Sequence, residues 1–154
     1  MSTSFEARDP EWEAKLRDSF RRQTIMGLLG ARLGNLEPGL CEIEVGFRED
    51  LCQQHGFIHA GVLATIADSA GGYACYSLMS PGSAILSVEF KMNQLRPAEG
   101  EFFVAQGRVV KPGRRLFFAE MSVYGVSGER RVLCATGQQT NMRLEPEADG
   151  LPEG

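Results

Sequence analysis

Residues 55–74 read HGFIHAGVLATIADSAGGYA, a run of apolar and small residues that carries a single carboxylate, Asp68. A helix that is apolar on every side is normally buried, and an ionised group inside it is costly unless partners or a functional cavity accommodate it. The residues one turn from the carboxylate are small, which would let a ligand approach: Ala64, Thr65, Gly71 and Gly72. The pattern predicts a helix that presents one reactive carboxylate, with a solvated polar stripe as the alternative.

The start of this helix is a second candidate for chemistry. His59, Ala60 and Gly61 follow an irregular stretch, residues 53–57. The first N–H groups of a helix point outward with the positive end of its dipole behind them, so they bind anions or a developing oxyanion. Asp68 lies roughly 10 Å further along the helix at 1.5 Å per residue. Both groups reach one carbonyl more easily if a second copy of the helix packs antiparallel to the first, which favours a two-fold dimer.

The elements around this helix are predicted to be mostly strands. Trp12, Leu16 and Phe20 recur at helical spacing after Asp9, which predicts an N-terminal helix. The central helix is expected to run to about residue 79. Alternating apolar and polar residues between turn signals predict strands over 31–36, 40–47, 84–92, 102–110, 116–126 and 131–142. The predicted fold class is α+β, with a curved antiparallel sheet wrapped around one long central helix.

Length and composition indicate one globular domain. The chain of 154 residues, 43% hydrophobic and 23% charged, is long enough for one core and too short for two ordinary domains. We expect a single domain over residues 1–144, with a flexible N-terminus at 1–8 and a disordered tail rich in Pro, Gly and acid at 145–154. The formal net charge of −4 argues against a nucleic-acid partner.

The cysteines and the hydrophobic segments indicate where in the cell the protein is expected to lie. No Cys-x-x-Cys spacing occurs among the four cysteines, Cys41, Cys52, Cys75 and Cys134, which favours free thiols in a reducing compartment. The chain opens without a basic-then-apolar signal peptide, and its uninterrupted apolar stretches are shorter than the ~18 residues of a membrane span. We therefore expect a cytoplasmic protein with no membrane partner.

Two segments carry a resemblance to a known family. H-G-F-I-H-A-G-V-L-A-T-I-A-D-S-A, residues 55–70, and S-V-E-F-K-M-N-Q-L-R-P-A, residues 87–98, resemble the hotdog-fold acyl-CoA thioesterases of the phenylacetic-acid-degradation type. The shared motifs are the His-small-Gly helix entry, the Ala-Asp-Ser/Thr-Ala helix centre, the Arg-Pro-Ala strand end and a later K-P-G-R-R turn. The resemblance covers about residues 20–143 and implies the hotdog fold.

The resemblance also implies roles for individual residues. Asp68 would act as nucleophile or general base, and the backbone N–H of Ala60 would bind the thioester oxygen. Gln53 stands where the family has an Asn that places the carbonyl or the water, Ser87 would orient water, and His59 would stabilise the helix entry or line the site. Ala60 replaces the usual Gly, which preserves the backbone donor if its φ is negative.

Further residues are expected to bind substrate. Gly61, Gln54 and Thr65 lie near the predicted site. The phosphate groups of coenzyme A suit a set of basic residues close to turns: Arg96, Lys111, Arg114 and Arg115. The resemblance implies a small, aromatic or medium-chain acyl-CoA as substrate, no cofactor or metal, and a dimer or dimer of dimers with its sites at the dimer interface.

Two other functions remain open from the sequence. A hotdog hydratase or dehydratase would use a His and a carboxylate, which His59 and Asp68 supply, and a non-catalytic acyl-CoA-binding protein would keep the pocket without the reaction. A zinc site at His55 and His59 is disfavoured, because Gly56 makes a helix there doubtful and no Glu follows the first His. The G-x-S-x-G motif of serine hydrolases is absent.

Overall fold

The computed structural model describes residues 5–145, which contain three α-helices and one six-stranded antiparallel sheet. The helices are α1 (Trp12–Arg22), α2 (Thr24–Leu29) and α3 (Ala60–Tyr76), and a short 3-10 turn at Glu49–Leu51 precedes α3. The strands are β1 (Arg32–Glu37), β2 (Leu40–Gly46), β3 (Ala84–Gln94), β4 (Phe102–Pro112), β5 (Leu116–Ser127) and β6 (Arg130–Leu144). The α+β class predicted from the sequence is confirmed.

The sheet has the order β1-β2-β4-β5-β6-β3. The predicted hairpin of β1 and β2 turns at Gly39, whose φ of 82° is a left-handed conformation that suits glycine. Strand β3 follows α3 in the chain but pairs with β6, so it forms the far edge of the sheet. This crossover places β3 beside β6, and both strands contact α3.

Helix α3 packs across the concave side of the sheet. Leu63, Ile66 and Ala70 are almost completely buried between the helix and the strands. At Gly107 of β4 a Cβ atom would overlap the backbone of Ala70, so a glycine is required where helix and strand approach this closely. The all-round apolar character of α3 therefore reflects burial, as the sequence predicted.

The N-terminal helix α1 packs on the side of α3 that faces away from the sheet. Leu16 and Phe20 are buried there, and the ring of Phe20 lies 6.2 Å from that of Tyr73. Asp9 accepts a hydrogen bond from the backbone N–H of Glu11 at 2.9 Å and forms an ion pair with Lys15 at 2.5 Å. The predicted N-terminal helix is confirmed, but it begins at Trp12 with Glu11 rather than Asp9 as its N-cap residue.

Several boundaries differ from the prediction. Helix α3 ends at Tyr76 rather than near residue 79, because the N–H groups of Leu78 and Met79 bond three residues back and continue the chain as tight turns. Lys111 belongs to β4 and pairs with Phe118 rather than starting the turn. Helix α2 was not predicted, since six residues are too few for a clear periodic pattern.

The predicted flexible ends are only partly within the described residues. Residues 1–4 and 146–154 lie outside them. Residues 5–8 adopt neither helix nor strand, and Phe5 packs against the hydrophobic core beside Gly39.

Candidate active site

The carboxylate of Asp68 is held through one of its two oxygens. Its Oδ1 accepts a hydrogen bond from the hydroxyl of Ser87 at 2.8 Å and another from the side-chain amide of Gln139 at 2.5 Å. Within residues 5–145, Oδ2 accepts no hydrogen bond from the protein. The side chain is half-buried. The arrangement leaves one fixed oxygen and one that can take a proton or attack an electrophile.

Strand β6 supplies two buried amide side chains that the sequence analysis did not identify. Gln139 is 3% exposed and Asn141 is 1% exposed, and both face α3. The Nδ2 atom of Asn141 lies 3.5 Å from the sulfur of Cys75, while Oδ1 of Asn141 has no partner among the described residues. The signal in the sequence was their spacing of two, which puts both on the core-facing side of a strand once its register is known.

A cleft of about 150 Å³ opens beside Asp68. Its walls come from the α1–α2 junction, α3, β3 and β6: Gln23, Asp68, Ser69, Gly72, Tyr73, Ile85, Ser87, Gln139 and Asn141. The amide of Gln23 donates to the hydroxyl of Tyr73 at 2.7 Å, and burial raises the pKa of that hydroxyl. Burial likewise raises the pKa of the Cys75 thiol, behind the cleft, to about 12, so Cys75 is a neutral packing residue.

The two mid-helix glycines have different reasons to be small. A Cβ on Gly71 would overlap Oε1 of Gln139, so Gly71 permits close approach of the sheet to α3. A Cβ on Gly72 would meet only ordinary contacts, at 3.9 Å from Asn141 and 4.0 Å from Ile85. Gly72 therefore leaves space in the cleft rather than between elements.

At the start of α3, His59 occupies the N-cap position. Its Nδ1 accepts a hydrogen bond from the N–H of Gly61 at 2.8 Å, so the predicted role of His59 in stabilising the helix entry has a direct structural basis. The N–H of Ala60 is exposed and bonds to no group within the described residues. Ala60 is therefore left as an outward-pointing donor, whereas the N–H of Gly61 is already used.

The other residues predicted near the helix entry have local partners. The hydroxyl of Thr65 donates to the carbonyl of Gly61 at 2.8 Å. The side-chain carbonyl of Gln53 accepts from the N–H of His55, while the side chain of Gln54 is exposed. Their substrate-binding roles stay predictions, and the amide nitrogen of Gln53 is the group that remains for a ligand.

The structure brings together only some of the predicted site residues. Asp68 and Ser87 are in contact, but Ala60 precedes Asp68 by eight positions on one straight helix, which corresponds to about 12 Å. Arg96 lies near Gly125 of β5, which pairs with Phe103 at the start of β4. Lys111 lies at the other end of β4 and precedes the turn that carries Arg114 and Arg115. The four basic residues therefore form two separate groups within one chain rather than one cluster.

The chain was compared with known proteins. Residues 55–131, half of the chain, match a family model described as the thioesterase superfamily. The chain belongs to the thioesterase superfamily. This thioesterase is also 47% identical to a thioesterase family protein from Silicibacter pomeroyi, with a TM-score of 0.84 over 86% of this chain and 98% of that one. Its hotdog fold and its class, a thioester hydrolase, follow from these relationships.

More distant relatives include proteins with different names and settings. The proofreading thioesterase EntH of Klebsiella pneumoniae is 27% identical over 74% of this chain and 83% of that protein. The PaaI protein from the phenylacetic acid degradation operon of E. coli is 17% identical with a TM-score of 0.79, over 90% of this chain and 96% of that one, a likeness of fold alone. Within residues 5–145 of this thioesterase, no helix is long and apolar enough to cross a membrane.

Proposed function

We propose that this thioesterase hydrolyses acyl-CoA thioesters, with Asp68 as the general base or nucleophile. The observation that carries the proposal is the state of its carboxylate, held through Oδ1 and open through Oδ2 beside a small cleft. As general base, Oδ2 takes a proton from water while the water oxygen bonds to the carbonyl carbon. The C–S bond then breaks, and the thiolate of coenzyme A leaves with that proton.

The oxyanion would be stabilised by the exposed N–H of Ala60. A backbone donor at the first position of a helix is aligned with the positive end of the helix dipole and requires no reorganisation during the reaction. Because about 12 Å separates Ala60 from Asp68 on one helix, the donor comes from a second subunit.

The edge strand β3 supports this two-fold assembly. Three of its large apolar side chains are about half exposed: Leu86, Val88 and Phe90, at 51%, 50% and 46%. A long, apolar, unpaired edge strand is normally covered. Pairing of β3 with β3 of a second copy would cover it and set the two α3 helices side by side. A further pairing into a dimer of dimers is compatible with this arrangement.

The acyl group is proposed to be small, with a single aromatic ring or a comparable aliphatic chain. A cavity of about 150 Å³ holds a molecule the size of benzene, which matches the volume of the cleft beside Asp68. The mechanism uses water, side chains and a backbone N–H, so no cofactor is invoked. Contacts with the phosphates of coenzyme A are proposed for the two separate basic groups, Arg96 on one side and Lys111, Arg114 and Arg115 on the other. The cytoplasmic location stays a prediction from the sequence.

The test is hydrolysis of a panel of acyl-CoAs that differ in acyl size, followed by release of free thiol. Asp68→Asn keeps the side-chain shape and removes the base, so turnover should fall at least ~10²-fold with folding preserved. Asp18→Asn, an exposed carboxylate on α1, is the matched control and should leave turnover unchanged. Near-normal turnover by Asp68→Asn would refute the assignment. Binding of acyl-CoA without thiol release, or hydration of an enoyl-CoA, would favour one of the two other functions.

A further inference from the structure

The amide nitrogen of Gln139 lies within hydrogen-bond distance of three oxygen atoms at or beside Asp68. Nε2 is 2.5 Å from Oδ1 of Asp68, 3.1 Å from the backbone carbonyl oxygen of Asp68 and 3.2 Å from Oγ of Ser87. An amide nitrogen carries two hydrogens and accepts none. Its two hydrogens serve three acceptors, Oδ1 and the carbonyl oxygen of Asp68 and Oγ of Ser87, whose own hydroxyl donates to Oδ1 of Asp68 at 2.8 Å.

This orientation of the amide leaves the side-chain oxygen of Gln139 without a hydrogen-bond partner among the described residues. Oε1 of Gln139 is buried and has no hydrogen-bond donor within residues 5–145. It lies in the space left by the missing side chain of Gly71. The reverse orientation would place Oε1 against the carboxylate of Asp68, where two acceptors would repel each other. A buried acceptor without a partner is rare in native proteins and calls for a reason.

We propose that Gln139 is a positioning residue for the reaction. It holds Oδ1 of Asp68 and orients the Ser87 hydroxyl, so that Oδ2 is presented to the cleft as a carboxylate. The proposal rests on the catalytic role proposed for Asp68.

The experiment replaces Gln139 by Met, which has similar volume and no donor. We expect kcat to fall about 10- to 100-fold, the effect of losing hydrogen bonds to a charged group, with KM changed less than about twofold. Gln139→Glu provides a second variant should the Met variant fail to fold. Its carboxylate oxygens cannot donate to Oδ1 of Asp68, so it should lower kcat at least as much.

Two further changes separate positioning from a structural role. Gln138→Met alters the neighbouring, exposed residue of β6 and should leave kcat and KM unchanged. In an Asp68→Asn background, Gln139→Met should have no further effect on the residual rate, because a positioning residue acts only through Asp68.

Three results would overturn the proposal. One is an unchanged kcat in both folded Gln139 variants. Another is a rate loss from Gln139→Met that is as large in the Asp68→Asn background as in the unaltered protein. Each of these would leave the role of Asp68 intact. Near-normal turnover by Asp68→Asn alone would instead refute the proposed function together with this inference.

Discussion

The backbone N–H of Ala60 can be removed by a proline substitution, because the position tolerates proline. It is the first residue of α3, where the N–H has no partner within the helix. His59 before it has φ −62° and ψ 137°, an extended conformation that a following proline also requires. Proline is favoured at the first position of a helix. The donor can therefore be removed without disturbing the helix.

Ala60→Pro should keep the fold and lose the oxyanion donor. Loss of one such donor typically costs 10²- to 10³-fold in kcat, and we expect a fall of that order. Circular dichroism and the thermal midpoint should match those of the unaltered protein. An active Ala60→Pro enzyme would exclude this N–H as the oxyanion donor.

At the scale of elements, α1 is attached both by its apolar side and at its first turn. Leu16 and Phe20 are buried, and Asp9 joins the helix start to Lys15. The hydrogen bond from Lys15, followed by that from the N–H of Glu11, holds the pKa of Asp9 below its usual value. A carboxyl with a lowered pKa stabilises the folded state only while it is ionised.

Asp9→Asn should therefore destabilise the protein in a pH-dependent way. The difference in unfolding free energy between the two proteins should be fully present above the ordinary aspartate pKa of about 3.9. It should be lost as the pH falls further, through the lowered pKa of the native state. Urea unfolding at pH 7 and at pH 3 measures this. Asp18→Asn, whose carboxylate pairs with Arg21 and Arg22 at an exposed surface, should change stability little at either pH. An equal loss for Asp9→Asn at both pH values would contradict the ionic role.

At the scale of the whole molecule, the proposed mechanism makes the dimer the functional unit. Neither α3 helix can bring its own Ala60 to its own Asp68. Each site would combine Asp68 of one subunit with Ala60 of the other. The sites of a dimer should therefore be separable by mutation.

Mixing Asp68→Asn chains with Ala60→Pro chains tests this. Each variant alone should be nearly inactive. A mixed dimer should regain one of its two sites, because the intact Asp68 of one chain meets the intact Ala60 of the other. Differently tagged chains allow mixed dimers to be purified and assayed. Verified mixed dimers without regained activity would show that each site lies within one chain.

The sequence alone predicted those parts of the site that depend only on residues close together in the chain. An apolar run predicts α3, a lone carboxylate within it identifies Asp68, and the irregular stretch before it locates the helix start at Ala60. The family resemblance made Ser87 a candidate, and its hydroxyl contacts Asp68. Helix periodicity and capping arise within a few residues of the chain, so one sequence is enough to read them.

Only the tertiary structure decided which distant groups meet. Gln139 contacts Asp68 from 71 positions away because β6 lies between β5 and β3 and because its register turns Gln139 inward. A shift of one residue in that register would point the amide to the outer face. The same dependence on long-range pairing separates Arg96 from Lys111. Strand order and register are set by the packing of the whole sheet, which local residue patterns do not contain.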